Sequence, residues 1–246
     1  MVQKTILITG TTGKLGKAII LNGLRDRILL TPTRQEMDIT SKESVDKYFD
    51  NHSVDEVIHC AAIANVGICE KNPALAINTN FMGTAHLVEA SSRKQGIRFV
   101  YISTDYVYPC SNGQYKETDS TSPFTLYGWT KLGGELSVKN LKNYCIIRTS
   151  FFDPENIPFD TAFVDSFCSK LPIAEMAKNV ILLLKSNFVG TINVGCERIS
   201  LYDLYKKYKP QIKPENMLID GIIKRAKDSS LDISLWKNMK GKLNDD

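Results

Sequence analysis

The stretch "KTILITGTTGKLGKAII" at residues 4–20 decides the fold of this chain. Residues 4–9 form an apolar, β-branched run that is typical of a buried parallel strand. Gly10, Gly13 and Gly16 follow with the spacing G-x-x-G-x-x-G, and apolar residues at helical spacing come next. A glycine turn between a first strand and a first helix lets the backbone approach a diphosphate at the helix N-terminus, so the stretch predicts a dinucleotide site.

The alternation of strand and helix patterns continues as far as residue 150. Strands are predicted at 27–33, 55–62, 98–104, 143–150 and 190–195, and helices at 41–51, 72–96, 125–141, 172–185 and 200–208. This alternation predicts an α/β protein with a Rossmann-like, doubly wound parallel sheet. Because the alternation of strand and helix patterns becomes less regular after residue 150, we predict an NAD(P)-binding domain at 1–150. A small, shortened substrate-binding lobe at 151–246 would pack partly back on the sheet.

The composition excludes several classes of protein. With 24% charged and 43% hydrophobic residues among 246, it is ordinary for a soluble globular chain. The net charge of +4 is mild and no basic stripe carries stacking aromatics, so we predict no nucleic-acid partner. No run of about 18 apolar residues predicts a membrane span. The N-terminus enters a strand without a signal-peptide pattern, which favours the cytoplasm.

Cysteine and histidine patterns predict neither disulfides nor a metal site. None of the six cysteines forms a C-x-x-C pair, and several lie in apolar runs, which is typical of reduced thiols in a reducing compartment. The three histidines lack metal-ligand spacing.

Residues after the second strand are candidates for the adenosine end of the cofactor. Asp38 could hold the adenine or could cap the following helix. Arg34, together with Lys14 of the glycine turn, could neutralise a 2′-phosphate, whereas Glu36 could accept a hydrogen bond from a free 2′-hydroxyl. The pattern favours NADPH and leaves NADH open.

A second polar cluster marks the carboxyl end of the strand at 98–104. Ser103, Thr104 and Asp105 should lie in the cleft beside the nicotinamide, because ligands of doubly wound sheets bind beyond the strand ends. Tyr127 and Lys131 share a helix face at i, i+4. We expect the lysine to lower the pKa of the phenol, which would then donate a proton to a carbonyl oxygen also bonded by Thr104.

The same Tyr-x-x-x-Lys spacing occurs twice more. Tyr202 and Lys206, and Tyr205 and Lys209, fall on a late helix and are interpreted as surface residues. Only Tyr127 and Lys131 follow the polar strand end and precede another core strand.

The combined motifs resemble the extended short-chain dehydrogenase/reductase superfamily, and more closely the dTDP-4-dehydrorhamnose reductase family. The matching stretches are "TGTTGKLG" (9–16), "MDIT" (37–40), "CAA" (60–62), "NFMGT" (80–84), "STDYVY" (103–108), "GQYKETD" (113–119), "YGWTKLGGE" (127–135), "IIRTSFF" (146–152) and "SSLDIS" (229–234).

The resemblance implies a role for each matched residue. It makes Thr104, Tyr127 and Lys131 the catalytic trio, and Asp105 and Phe151 would face the sugar nucleotide beside Ser103 and Thr104. The expected cofactor-binding residues are Gly10, Thr12, Gly13, Lys14, Leu15, Arg34, Asp38, Ile39, Ala61, Ala62, Tyr127 and Lys131. The implied activity is NAD(P)H-dependent reduction of the 4-keto group of a nucleotide-linked deoxysugar.

One position separates this reaction from a dehydration. Similar 4,6-dehydratases place Asp-Glu after the threonine, but here Tyr106 follows Asp105, so the second carboxylate that elimination needs is missing. We therefore favour a reductase.

Departures from the family pattern affect the substrate. The segment 153–172, which in the family helps to grip the nucleoside diphosphate, is short, and Phe151 stands where the family often has tryptophan. A nucleotide-linked 4-keto-6-deoxysugar other than dTDP-4-dehydrorhamnose is the preferred substrate. A sugar-nucleotide epimerase/reductase, and an NADP-binding regulatory subunit similar to the methionine adenosyltransferase beta subunit, remain alternatives. Pairing of helices 72–96 and 125–141, common in the superfamily, would give a homodimer.

Overall fold

A computed structural model describes residues 3–217 and 226–245 of the chain. Its strands are β1 Lys4–Thr9, β2 Arg27–Leu30, β3 Glu56–His59, β4 Arg98–Ile102, β5 Tyr144–Arg148, β6 Phe151–Phe152, β7 Thr161–Phe163, β8 Phe167–Cys168, β9 Leu171–Pro172, β10 Gly190–Asn193, β11 Ile199–Ser200 and β12 Lys213–Glu215. Its helices are α1 Lys14–Leu21, α2 Lys42–Asn51, α3 Val66–Lys71, α4 Pro73–Ala76, α5 Gly83–Ser92, α6 Leu126–Val138, α7 Ile173–Lys185, α8 Leu201–Lys206 and α9 Ser234–Asp245.

Six of the strands form the central sheet, in the order β10-β5-β4-β3-β1-β2. Every neighbouring pair is parallel. This confirms the predicted Rossmann-like fold class. The order of connection reverses between β1 and β3, and such a switch point opens a ligand crevice at the carboxyl ends of the two strands.

Helices cover both faces of the sheet because its strands are apolar on both sides. In β1, Ile6 and Ile8 pack with residues of α1 and α7. Leu7, between them, packs on the opposite face with residues of α2 and α5. The long apolar run at 4–9 therefore reflects burial on two sides.

The predicted helix at 72–96 is interrupted and ends early. Pro73 begins it as expected, but a π-helical turn, Ile77–Met82, separates α4 from α5, and α5 ends at Ser92. Within the π turn, Asn80 is fully buried. Its side chain accepts a hydrogen bond from the Ile63 N–H at 2.8 Å and donates one to the Ile63 carbonyl at 3.1 Å. Asn80 thereby holds the loop that follows β3.

The region after residue 150 contributes to the main sheet and also forms small ladders of its own. β10 pairs with β5, and α7 packs on α1. Further pairs are β6 with β9, β7 with β12, and β8 with β11. The division of the chain into two domains at residue 150 stays a prediction.

The six cysteines are free thiols. No helix within residues 3–217 and 226–245 is both long enough and apolar enough to cross a bilayer.

Candidate functional site

The turn between β1 and α1 lies in backbone contact with the loop that follows β3. Gly10 has a φ of +73°, and a Cβ there would lie 2.6 Å from the Ala61 nitrogen. A Cβ at Gly16 would lie 2.5 Å from the Gly10 carbonyl oxygen. Gly13 precedes α1 without a capping side chain, so the first N–H groups of the helix stay open to a ligand. We call this turn the glycine cradle: its glycines let the backbone pack this closely, and the open N–H groups of α1 can receive a diphosphate.

A cleft of about 170 Å³ opens beside this turn, toward the loop after β2. The predicted cofactor residues that line it are Gly10, Thr12, Arg34, Asp38, Ile39 and Ala61. Asp38 also accepts a hydrogen bond from the Thr40 N–H at 2.9 Å. Asp38 thus lines the cleft and orders the turn before α2, and the two interpretations of this residue are compatible.

Charged groups around this cleft bear on the choice of cofactor. Arg34 lines it, with its Nε 3.1 Å from an Asp38 carboxylate oxygen. One oxygen of Glu36 accepts hydrogen bonds from the Thr33 N–H at 2.7 Å and hydroxyl at 2.9 Å, and so turns back on its own loop. Lys14 is paired with Asp153 at 3.1 Å. Both cations are paired, but Arg34 lines this cleft and Lys14 does not, so Arg34 is better placed to meet a 2′-phosphate.

A second cleft, of about 290 Å³, lies beyond the carboxyl ends of the strands; we call it the reaction cleft. The predicted site residues that line it are Leu15, Ala62, Ser103, Thr104, Asp105, Tyr127, Lys131 and Phe151. The fold thus brings the polar end of β4, the start of α6 and the start of β6 to one place.

Thr104 and Tyr127 both line this cleft, and the Thr104 hydroxyl lies near enough to the Tyr127 phenol to lower its pKa. Thr104 also donates to Asp105 at 3.0 Å. Tyr127 is placed by the start of α6, where the Thr125 side chain accepts from the Gly128 N–H at 3.1 Å. A Cβ at Gly128 would lie 2.3 Å from the Tyr106 carbonyl oxygen, so only glycine lets the helix approach the end of β4 this closely. The two hydroxyls can therefore bond a single substrate oxygen.

The expectation that Lys131 lowers the pKa of Tyr127 is wrong for this structure. Burial, the largest cause, raises the pKa of the Tyr127 phenol above its ordinary value, although the Thr104 side chain beside it acts in the opposite direction. The Lys131 ammonium lies 4.1 Å from the centre of the Tyr101 ring, and burial lowers its own pKa to about 7. Tyr127 therefore stays protonated at neutral pH, which is the state that a proton donor needs.

Replacing Lys131 with methionine is expected to raise the free energy of unfolding at pH 7 by on the order of 2 kcal/mol. The lysine has a pKa of about 7 when folded and an ordinary value of 10.5. Between these values the unfolded chain binds more protons, so wild-type stability rises with pH. Urea denaturation of both proteins at pH 7 and pH 9.5 measures the difference, which should shrink at the higher pH. A difference that does not change with pH would contradict the assignment.

The Ser103 side chain is hydrogen-bonded to a buried ion pair that sequence reasoning missed. Its hydroxyl donates to a Glu135 carboxylate oxygen at 2.5 Å, and the Arg148 guanidinium bonds the same carboxylate at 2.7 and 3.0 Å. Glu135 follows Lys131 by one helical turn. The available signal was that Glu135 is the one acid within the predicted helix at 125–141. The pair ties α6 to β5 and so holds Tyr127 and Lys131 in place.

The carboxylate of Asp105 is likewise occupied. It is buried, accepts from the Ser150 hydroxyl at 3.0 Å, and has a pKa raised by its burial. Burial also raises the pKa of the Tyr106 phenol, which remains protonated at neutral pH. Neither Tyr106 nor Asp105 therefore resembles the free acid–base pair of an elimination.

Sequence reasoning also missed Lys170, which lines the reaction cleft from the loop between β8 and β9. The signal was a single lysine inside the run "FCSKLP" at residues 167–172.

The glycine cradle, the switch-point crevice and the neighbouring Thr104 and Tyr127 side chains define the extended short-chain dehydrogenase/reductase class. A family model described as the RmlD substrate binding domain matches residues 4–165. The chain belongs to this family.

Relatives and solved structures agree with this assignment. The chain is 36% identical over 150 residues to a dTDP-4-keto-6-deoxy-D-glucose reductase from Streptomyces niveus. The aligned region covers 59% of this chain and 51% of that protein. It is 31% identical over 147 residues to methionine adenosyltransferase 2 subunit beta from Rattus norvegicus, covering 55% and 43%. The match spans about half the length of these curated relatives.

A solved dTDP-4-dehydrorhamnose reductase from Bacillus anthracis, in complex with NADP, superposes with a TM-score of 0.87 at 25% identity. The superposition covers 97% of this chain and 93% of that one.

Proposed function

We propose that this protein is an NADPH-dependent reductase of the 4-keto group of a nucleotide-linked 6-deoxysugar. The observation that carries the proposal is that the Thr104 and Tyr127 side chains lie side by side in the reaction cleft. The glycine cradle fits a dinucleotide, since it leaves the first N–H groups of α1 without a capping side chain and open to a diphosphate. The NADP complex of the Bacillus anthracis reductase and the name of the Streptomyces niveus relative support the cofactor and the substrate class.

The role proposed for each residue of the reaction cleft follows from its contacts. When bound, NADPH supplies the hydride that reduces the carbonyl carbon. Tyr127 donates its phenolic proton to the carbonyl oxygen, and Thr104 orients that oxygen through a second hydrogen bond. Lys131 lines the same cleft beside Tyr127, and its low pKa makes its charge responsive to the ligands that enter. Ser103, Asp105 and Phe151 would border the sugar.

The test is oxidation of NADPH, followed at 340 nm, with a panel of nucleotide-linked 4-keto-6-deoxysugars. We expect turnover with at least one member and formation of the 4-hydroxy sugar. Tight NADPH binding without turnover on the whole panel would instead favour the second candidate, a regulatory subunit. That candidate is supported by the similarity to methionine adenosyltransferase 2 subunit beta. An epimerase/reductase would exchange solvent deuterium into the sugar at carbons other than C4.

The preference for NADPH predicts a selective effect at Arg34. An Arg34→Ala variant is expected to weaken NADPH binding by roughly 10- to 100-fold, because a charge-assisted bond to the 2′-phosphate is lost, and to leave NADH binding nearly unchanged. Fluorescence titration with each cofactor measures both affinities, and Arg25→Ala, which removes an exposed guanidinium outside this cleft, is the control. Equal weakening of the two cofactors would refute the preference.

We also propose that two copies pair through α6 and the π turn. Trp129 and Leu136 of α6 are 53% and 60% exposed, and Phe81 of the packed π turn is exposed beside them. Sedimentation of the wild-type protein and of a Leu136→Glu variant tests the homodimer. The free thiols are compatible with the proposed cytoplasmic location.

A further inference from the structure

Lys170 lies where two clefts meet. A third cleft, of about 500 Å³, adjoins the reaction cleft, and the two share the lining residues Val66, Tyr106 and Lys170. A ligand that fills both clefts must therefore pass the Lys170 ammonium.

The two clefts differ in character. The reaction cleft carries hydroxyl groups and small polar side chains. The third cleft is lined by aromatic rings of the region after residue 150, among them Phe159, Phe167 and Tyr205; we call it the aromatic cleft. The interpretation of Tyr205 as a surface residue is wrong, because the residue is 5% exposed and packs against Phe152. Aromatic side chains offer stacking surfaces to a nucleobase. The lining therefore favours a sugar in one cleft and a nucleoside in the other.

The charge of Lys170 is only partly satisfied by the protein. Over residues 3–217 and 226–245, its ammonium makes one hydrogen bond, a long one of 3.4 Å with the Tyr205 hydroxyl. Asp105 acts on it through space, but the oxygens of that carboxylate already accept from Thr104 and Ser150. An ammonium has three donors, so two remain for an anion at the junction.

We propose that Lys170 binds the diphosphate of a nucleotide-linked sugar, between a sugar in the reaction cleft and a nucleoside in the aromatic cleft. This inference rests on the proposed function, because such a substrate carries its anionic group between two uncharged ends. A lysine suits this position, because its ammonium neutralises phosphate as a point charge.

The test compares Lys170→Met with Lys206→Met. Lys206 lies in the same region and bonds the Tyr202 hydroxyl at the surface. Its replacement by methionine removes the same positive charge as the replacement of Lys170 does. Calorimetry with dTDP, UDP, thymidine and NADPH measures each affinity. We expect Lys170→Met to weaken binding of whichever diphosphate the wild type prefers by about 10- to 100-fold. Thymidine and NADPH should bind unchanged, and Lys206→Met should bind all probes as the wild type does.

Several outcomes would overturn the inference. They are unchanged diphosphate affinity in Lys170→Met, equal losses for dTDP and thymidine, a loss confined to NADPH, and no binding of either diphosphate by the wild type. Lys170→Gln serves as the second variant if the methionine variant does not fold, and Lys170→Arg should keep most of the affinity.

Kinetics separate this inference from the proposed function. A wild type that reduces a keto sugar, with an unchanged KM in Lys170→Met, would overturn the inference alone. A wild type that binds dTDP through Lys170 without oxidising NADPH on any keto sugar would overturn the proposed function alone. If both hold, Lys170→Met raises KM with little change in kcat, because the diphosphate contact is the same in the ground and transition states.

Discussion

A Tyr127→Phe variant is expected to reduce a keto sugar nucleotide roughly 10²–10⁴-fold more slowly than the wild type, which is the usual contribution of a general acid. The phenol is the group that gives its proton to the carbonyl oxygen, and phenylalanine keeps the ring without the donor. Burial keeps the pKa of Tyr127 above its ordinary value. The wild-type rate should therefore not fall through loss of this proton until the solution is distinctly alkaline.

The control is Tyr202→Phe, since Tyr202 has the same spacing to a lysine but its hydroxyl bonds Lys206 at 2.9 Å on α8. Single-turnover kinetics and cofactor titration should show a loss in the chemical step with NADPH affinity retained for Tyr127→Phe, and wild-type behaviour for Tyr202→Phe. If Tyr127→Phe reduced the substrate at the wild-type rate, another group would be the proton donor.

A Glu135→Ala variant is expected to lose about 3–5 kcal/mol of unfolding free energy, because it leaves a buried guanidinium without its counter-charge. Glu135 and Arg148 are both buried, and their carboxylate and guanidinium approach to 2.7 Å. After the substitution, Arg148 would keep the Tyr108 hydroxyl at 2.7 Å and the Glu117 carbonyl at 3.3 Å, neither of which carries charge.

Two further variants make the test of this ion pair specific. Glu197→Ala removes one partner of an exposed pair with Lys237 and should cost less than about 1 kcal/mol. A double variant, Glu135→Leu with Arg148→Met, removes both charges and should recover much of the loss. Urea denaturation measures all three proteins. A Glu135→Ala loss no larger than that of Glu197→Ala would show that the pair contributes little to stability.

Much of the fold could be predicted because its signals are local. The glycine turn, the apolar strands and the capped helices appear in short windows, and the parallel sheet follows from their alternation. The interrupted helix at 73–92 could not be predicted, because its buried Asn80 bonds Ile63 of a separate loop. The apolar residues of helix α9 show only a moderate helical periodicity, and the sequence analysis does not predict this helix.

The candidate site shows the same division. Thr104, Tyr127 and Lys131 could be grouped from strand-end position and helical spacing. The direction of the Tyr127 pKa shift could not, since it depends on how much protein surrounds the phenol. The pairing of Lys14 with Asp153 joins residues 139 positions apart, and nothing near either residue indicates it.

The amino-acid sequence by itself determined the alternation of strands and helices along the chain, the glycine cradle and the residues at the strand ends. Backbone conformation and side-chain periodicity are set within a few residues, so short windows of sequence are enough to indicate them. Only the tertiary structure decided which charges are paired, which hydroxyls meet and that Lys170 stands between two clefts. Burial and electrostatic neighbours are supplied by segments distant in the chain, and these fix how a side chain can act.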